Sequence, residues 1–479
     1  RLPIPERQAA TLHSLAYHAL GGPPIAQAGA LAKEWNSQTT IPDSWHLEDW
    51  DIDDPPREAM AGSMMATYDR YRAGLRHNML LEAQCRDFAT HWENFKHETQ
   101  SMDFTDLLEK ALDSQVPLVA YPEVFVVDEA QDLTPLGHAL ADFWGSQAQR
   151  YLVAGDPAQC LYEFLGASPW ALLGDTPPEH RYVLPHSYRL PRRIHNLAEQ
   201  WLMRHSGTMM QGRTYSPTDY HGFVECYLHM GFEDLSEIIE RSIEDVALGD
   251  EIMILTSCRY QTTGLVKELR ERGVLFHNPY RRSDHGWNPL GWVGPGVSAA
   301  ERFYELLRPT LSWSKEELAT WLALFKQEAL LVSRSEIRKL EELQLTELKN
   351  IVVPLIVEAA IEGKLSQSLR PLIYKRYDAA FTYLSAILDR YGREGFSQNP
   401  RVIVGTVHSV KGGEADAVYF LPHLSPSGRR ERAVDPDPSI RQRYVGMTRA
   451  KSALILCLGE SGGHPIENNL RLLADGNYD

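Results

Sequence analysis

Short apolar runs separated by stretches of helical periodicity set the pattern of this chain. Val124-Phe125-Val126-Val127 is a continuous β-branched and aromatic run, as expected of a strand buried on both faces of a parallel sheet. Tyr151-Leu152-Val153-Ala154 repeats the pattern after a helical stretch at 135–144. Further short runs stand at Ile252–Leu255, Val402–Val404, Ala417–Leu421 and Ala453–Leu458, again with helical segments between them. Strands alternating with helices predict an α/β fold, in which sites gather at the carboxyl ends of the strands.

The remaining segments read differently. A helix is predicted from about Ser14 to Leu20, closed by Gly21-Gly22-Pro23-Pro24. Residues 43–58 are acidic and contain Pro55-Pro56, which predicts a solvated loop. Residues 59–112 read as largely helical, with Met64, Tyr68, Tyr71 and Leu75 at helical spacing. Between about 297 and 390 no strand signal appears. That segment, rich in Leu, Glu and Lys, predicts an all-α insertion.

Composition narrows the class. The chain has 479 residues, too many for one compact core, with hydrophobic and charged fractions of 43% and 23% that exclude disorder throughout. No apolar run approaches the ~20 residues needed to span a bilayer, and no charged-then-apolar leader is present, so no membrane role is expected. Five dispersed cysteines without CxxC spacing point to a reducing, cytoplasmic setting. The 48 basic against 64 acidic residues give a net charge of −16. That charge argues against a protein that coats nucleic acid over its whole surface, but not against a local basic groove.

The first strand runs into Asp128-Glu129-Ala130-Gln131-Asp132. Polar residues directly after a buried strand cost desolvation unless they have partners. Such a carboxylate pair can hold Mg²⁺ through one member and activate a water through the other, as in nucleotide hydrolases. Taken alone, the pair reads sooner as a helix start with a first-turn acid. The next strand ends in Gly155-Asp156-Pro157-Ala158-Gln159-Cys160-Leu161-Tyr162-Glu163-Phe164-Leu165-Gly166-Ala167.

Together these two stretches resemble motifs II and III of superfamily 1 helicases of the UvrD/Rep type, and the resemblance extends along the chain. Thr11-Leu12-His13-Ser14 resembles motif Ib, and Asp103-Phe104-Thr105-Asp106-Leu107-Leu108 resembles the DFxDLL segment before motif II. Ser187-Tyr188-Arg189 resembles motif IV, with Ser in place of Asn. Thr406-Val407-His408-Ser409-Val410-Lys411-Gly412-Gly413-Glu414 resembles motif V, with Gly413 in place of Leu. Gln442 through Lys451 resembles motif VI.

The resemblance implies ATP and Mg²⁺ as cofactors. It makes Asp128 the Mg²⁺-associated carboxylate and Glu129, beside the same metal, the activator of the attacking water. Gln159 becomes the γ-phosphate sensor, a task suited to an amide that both donates and accepts. Arg189 and Arg449 become the arginines that reach the γ-phosphate, where a planar guanidinium meets developing oxygen charge. Glu414 is implied to accept from the ribose, and Tyr188 to pack on the base. Tyr162 and Phe164 match aromatics that stack unpaired bases, an interaction of ~1–3 kcal/mol per base that ignores base identity. The other reading of both rings is as core residues under the sheet. His13, Ser14, Thr406 and His408 are implied phosphate-backbone or coupling contacts. Leu165 stands where the family often has a basic residue, which puts a contact at that point in doubt.

Basic residues gather in two windows, one with Arg181, Arg189, Arg192, Arg193 and Arg204, the other with Arg429, Arg430, Arg432, Arg441, Arg443, Arg449 and Lys451. This predicts a basic cleft in an acidic body, suited to one strand in one groove. Arg429 to Arg432 lie in a Pro/Gly/Ser-flanked stretch, which reads as a solvated loop.

The phosphate-cradling loop G-x-x-x-x-G-K-[ST] is not among these residues. In the family it precedes motif Ib, and residue 1 is Arg1 rather than Met. The loop is therefore expected upstream of Arg1. The expected fold is two RecA-like lobes. The first lobe, N-terminally incomplete, covers 1–185 with a small helical insertion at about 20–100. The second covers 186–296 and 391–479 around a helical insertion at 297–390. The implied function is an ATP-dependent helicase or translocase on single-stranded DNA, or DNA with a single-stranded tail, moving 3′ to 5′. The alternative is a non-hydrolysing single-strand-binding or protein-interaction subunit. A nuclease subunit is disfavoured, because no further metal-binding carboxylate cluster with a Lys partner follows motif VI.

Overall fold

The computed structural model describes residues 9–47, 64–74, 83–118, 122–169, 171–172, 176–206, 213–227, 235–280, 297–458, 470 and 473. Leu75 and residues 48–58 of the acidic 43–58 stretch lie outside them. The chain folds as two compact units. One comprises Arg1–Ser187, Ala198–Ser216 and Ser425–Val445; the other comprises Tyr188–Leu197, Pro217–Leu424 and Gly446–Asp479.

In the first unit, Thr11 caps α1 (Leu12–Ala19) by accepting the Ser14 amide on its hydroxyl. Next come α2 (Gly29–Asn36), α3 (Met64–Ala73), α4 (Ala83–Thr99), α5 (Phe104–Asp113), β1 (Val124–Val127), α6 (Pro135–Gly145) and β2 (Arg150–Val153). β1 and β2 pair in parallel, Val124 opposite Arg150 and Val127 opposite Val153. Their covered face packs on α1, α5 and α6 through Ala16, Leu107, Leu108, Phe125, Val127, Leu140 and Trp144. The other face does not follow the expectation of two-sided burial. Val124, Val126 and Leu152 are exposed, because among the described residues nothing packs on that side.

The helical insertion has a core of aromatic rings. Trp35 meets Trp92 edge-on at 4.9 Å, with Phe88 and Phe95 around them. Above it lies a buried ionic network. Arg72 donates to Asp103 (2.8 Å), Asp106 (2.6 Å) and Glu109 (2.6 Å). Lys96 reaches Asp103 (2.8 Å) and Asp106 (2.7 Å), and the Trp92 indole also donates to Asp103 (2.9 Å). Asp103 and Asp106 form the capping box of α5, which accounts for their spacing in the DFTDLL segment. Glu93, Asp103 and Asp106 bring carboxylate oxygens within 4.8 Å of one another, but the Lys96 ammonium already sits among them. The cluster is a salt-bridge network, not an ion site.

The second unit is built on a six-stranded parallel sheet in the order β3-β10-β9-β4-β8-β5. Its strands are β3 (Phe223–Tyr227), β4 (Ile252–Thr256), β5 (Phe276–His277), β8 (Val402–Thr406), β9 (Ala415–Leu421) and β10 (Ala450–Cys457). β3, β4 and β5 precede residues 297–390 in the sequence, and β8, β9 and β10 follow them. β4 and β8 are buried along their whole length, as continuous apolar runs require.

α7 (Arg192–His205), α8 (Leu235–Leu248), α9 (Arg259–Glu271), α10 (Ala299–Leu307), α11 (Lys315–Leu322), α12 (Pro354–Glu362) and α13 (Asp378–Tyr391) follow in order. A one-turn helix (Arg334–Ile337) lies between α11 and α12, and α14 (Pro426–Val434) and α15 (Asp437–Met447) come last. One apolar core runs without a break from the sheet through α8 and α9 into α10 to α13. Two readings are corrected here. Segment 297–390 is not purely helical: β6 (Ser312–Ser314) pairs antiparallel with β7 (Glu342–Gln344), strands too short to leave an alternating signal. Arg429 to Arg432 are not in a loop but on α14, whose start Ser425 caps by accepting the Gly428 amide.

Asp103 is the hub of the network, and Asp103→Asn is expected to cost about 3–5 kcal/mol, because it leaves two buried cations short of a partner. Urea unfolding followed through Trp35 and Trp92 checks this. Burial opposes ionisation of Asp103, but Arg72 and Lys96 outweigh it and hold the carboxyl below the usual range. Its stabilisation is therefore present above the unfolded value near pH ~4 and is lost as pH falls through the folded one. Asp69, which accepts from Thr105 (2.9 Å), behaves in the opposite way. Burial first, then the charge of Asp103, pushes its carboxyl up to about 7. That contribution is lost as pH rises through the folded value, and Asp69→Asn is expected to flatten the loss.

Candidate functional site

In the first unit, the carboxyl ends of β1 and β2 hold motifs II and III together. Parallel pairing continues past the strands: Ala154 N–H donates to Val127 O (2.8 Å) and Ala130 N–H to Ala154 O (2.9 Å). Asp128 is exposed, and its Oδ1 accepts the Glu129 amide (2.9 Å). Glu129 is also exposed and adopts the left-handed conformation, with φ 54° and ψ 35°. That conformation is costly for a residue with a Cβ, and here it turns the chain at the strand end. The Gln131 side chain is buried and reaches both motifs. Its Nε2 donates to Glu129 Oε2 (2.5 Å) and its Oε1 accepts the Asp156 amide (3.0 Å). Gly155 is required at that point, since a Cβ there would collide with Gln131 Oε1.

Asp156 organises motif III. Its Oδ1 accepts Ala158 N–H (3.0 Å), and its Oδ2 accepts Gln159 Nε2 (2.9 Å), which fixes the orientation of the Gln159 amide. Sequence reasoning missed Arg213, which donates to Asp156, to Glu199 (3.3 Å) and to the Tyr444 hydroxyl, and lies 4.8 Å from the Tyr444 ring centroid. Arg213 lies in no recognisable motif, so no signal marked it. Arg441 donates to Cys160 O (3.1 Å) and to Glu163. Tyr162 and Phe164 are half-buried, 6.2 Å apart and inclined at 51°. His13 is exposed on α1 and meets Phe104 edge-on at 6.1 Å, while the Ser14 amide serves the helix cap.

In the second unit, motifs IV, V and VI meet. Arg189 lies 3.6 Å from Glu414. Arg449, almost fully buried, donates to Gly413 O (3.2 Å) and Thr448 Oγ1 (3.3 Å). Tyr188 stands 95% exposed. Thr406 and His408 are buried, and Thr406 Oγ1 accepts the Ser409 amide (3.2 Å). Asn278, also unread in the sequence, donates to Val404 O (3.1 Å) and Ser409 Oγ (3.2 Å). Gly413 departs from the family pattern for a visible reason: a Cβ there would lie 2.5 Å from the Tyr280 ring. The basic windows differ from expectation too, because Arg441, Arg443 and Arg449 are buried fasteners rather than groove cations.

The UvrD/REP helicase N-terminal domain matches residues 32–177, and the UvrD-like helicase C-terminal domain matches residues 310–461. The chain belongs to the UvrD/Rep-like helicase family. It is similar to the proteins named ATP-dependent DNA helicase UvrD2 of Mycobacterium bovis and Mycobacterium tuberculosis, at 25% identity over 355 residues. The match covers 69% of this chain and 47% of each relative, so the chain spans about half the length of the curated relatives it matches. No helix among the described residues is long and apolar enough to cross a membrane.

Two substitutions isolate the backbone strain at Glu129. Glu129→Gly and Glu129→Ala both remove the contact to Gln131, but only the glycine relieves the left-handed conformation. The glycine variant is expected to be more stable than the alanine variant by about 1 kcal/mol, read by denaturant unfolding. Equal stabilities would show that the turn carries no strain.

Proposed function

We propose that this chain is the core of an ATP-dependent DNA helicase or translocase that moves 3′ to 5′ on single-stranded DNA. The observation that carries the reading is the clasp in which Gln131 joins Glu129 of motif II to Asp156 of motif III, with Asp156 in turn holding Gln159. The residues present fit a magnesium nucleotide. Asp128 offers an exposed carboxylate of the hard oxygen type that Mg²⁺ prefers. Bound Mg²⁺ and ATP would supply charge neutralisation and the phosphoryl group to be transferred.

The roles of this chain follow. Asp128 holds the metal, and Glu129, its backbone fixed by the turn, takes the proton of the attacking water. Gln159, whose amide donates to Asp156, serves as the γ-phosphate sensor. Arg189 and Arg449 supply positive charge to the γ-phosphate. Arg189 is engaged by Glu414 as it stands, so phosphate competes with that carboxylate. Tyr188, fully open to solvent, is available to a nucleobase, and Glu414 to its ribose. Tyr162 and Phe164 offer stacking faces to unpaired bases, and His13, Ser14, Thr406 and His408 serve the strand's backbone or its coupling to the nucleotide. The reading requires a phosphate-cradling loop in the working enzyme.

DNA-stimulated ATP hydrolysis by the natural gene product is the test. Glu129→Gln is expected to lower turnover by at least ~100-fold while single-strand binding persists. A product that binds single strands with no stimulated turnover would sink the motor and leave a binding subunit. Unchanged turnover in the variant would remove Glu129 from its role.

A further inference from the structure

The carboxylate of Asp156 is held from two directions. Within motif III, its Oδ1 accepts the Ala158 amide (3.0 Å) and its Oδ2 accepts Gln159 Nε2 (2.9 Å). Both donors belong to the same short turn, so they fix the carboxylate relative to that turn and to nothing else. Among the described residues its one partner from outside the motif is Arg213, whose Nη1 donates to Oδ1. Arg213 stands between α7 and β3, 57 positions further along the chain.

Each of the three Arg213 nitrogens has a partner. Nε donates to Glu199 on α7 (3.3 Å), Nη1 to Asp156, and Nη2 to the Tyr444 hydroxyl and to that of Tyr215 (3.4 Å). The two tyrosine hydroxyls bond each other at 3.0 Å, and the guanidinium lies 4.8 Å from the Tyr444 ring centroid and 5.3 Å from that of Tyr215. Tyr444 is on α15, the helix of motif VI, and all five residues belong to the first unit. The Arg213 and Glu199 side chains are largely enclosed. An enclosed ion pair adds little net stability, because desolvation offsets its attraction. What the arrangement does fix is direction, and it takes a planar fork, not a compact ammonium, to serve Asp156, Glu199 and Tyr444 at once.

We propose that Arg213 is a positioning residue for ATP hydrolysis: it sets the Asp156 carboxylate, which sets the Gln159 amide, and so registers the γ-phosphate sensor against the motif VI helix. The inference rests on the helicase reading. Gln131 holds only the main chain of Asp156, through its amide (3.0 Å), which leaves the carboxylate free to turn unless Arg213 holds it. The Gln159 amide follows that carboxylate.

DNA-stimulated ATP turnover of the natural gene product is compared with that of Arg213→Gln, Arg213→Lys, Gln159→Ala and the Arg213→Gln/Gln159→Ala double variant. Arg213→Gln is expected to lower kcat by about 10- to 100-fold, the scale of a small misplacement near a reacting centre, and to leave KM for ATP unchanged. Arg213→Lys keeps the charge without the fork and is expected to recover part of the loss. The double variant is expected to be no slower than Gln159→Ala alone, because residues that act as one unit do not add. Losses that multiply show a structural role only and overturn the inference, as does an unchanged kcat in Arg213→Gln. Should Arg213→Gln fail to fold, Tyr444→Phe takes its place in the cycle. It removes an acceptor of Nη2 while keeping the ring beside the guanidinium, and the same two outcomes decide. A natural gene product without DNA-stimulated turnover overturns the helicase reading itself, whereas stimulated turnover that Arg213→Gln leaves unchanged overturns the role of Arg213 alone.

Discussion

The side chain of Gln131 is the constraint on which the motif-bearing end of the first unit's sheet depends. Two parallel strands place two polar loops side by side, but pairing alone does not orient their side chains. Gln131 does so with one amide, donating to the Glu129 carboxylate and accepting the Asp156 amide. Because the group is buried, either bond left unmade would cost more than an exposed one is worth. The need for Gly155 and the held amide of Gln159 both follow from that geometry. The strained turn at Glu129 lies in the same clasp, which holds it in place.

The second unit uses a different device for the same end. A continuous apolar core joins the sheet to α10 through α13, so the 297–390 segment is anchored by packing rather than attached as a separate body. On that platform Asn278 ties the motif V turn to β8, and Tyr280 fills the space that only Gly413 leaves open. Arg449 then needs no solvent-facing freedom. Its position is set by Gly413 O, one residue from the carboxylate that engages Arg189.

How much of this was legible in the sequence depends on the kind of signal. Buried parallel strands such as Ile252–Thr256 and Val402–Thr406 announce themselves as apolar runs, because nothing polar survives on either face. The runs at 124–127 and 151–154 look the same, yet among the described residues one face of that sheet is bare, since a run records only what each strand can bury. The paired carboxylates were legible as motifs. Arg213, Asn278 and Tyr280 were not, because they act through tertiary contacts that leave no spacing behind. The DFTDLL segment was legible as a likeness, but its cause, a capping box feeding a buried ionic network, needed the neighbouring helices.

The arginines show most clearly why a count of charges says little about where charge acts. Arg72, Arg441, Arg443 and Arg449 are almost wholly enclosed. Arg72 is matched by carboxylates, Arg441 divides its donors between Glu163 and the Cys160 carbonyl, and Arg449 spends one on the Gly413 carbonyl. A guanidinium that bonds a carbonyl keeps its full charge, so the acidic excess of the chain is not neutralised where these groups lie; it is displaced to other parts of the surface. That separation, and not the total, governs which anions the protein can hold and at which point on its surface.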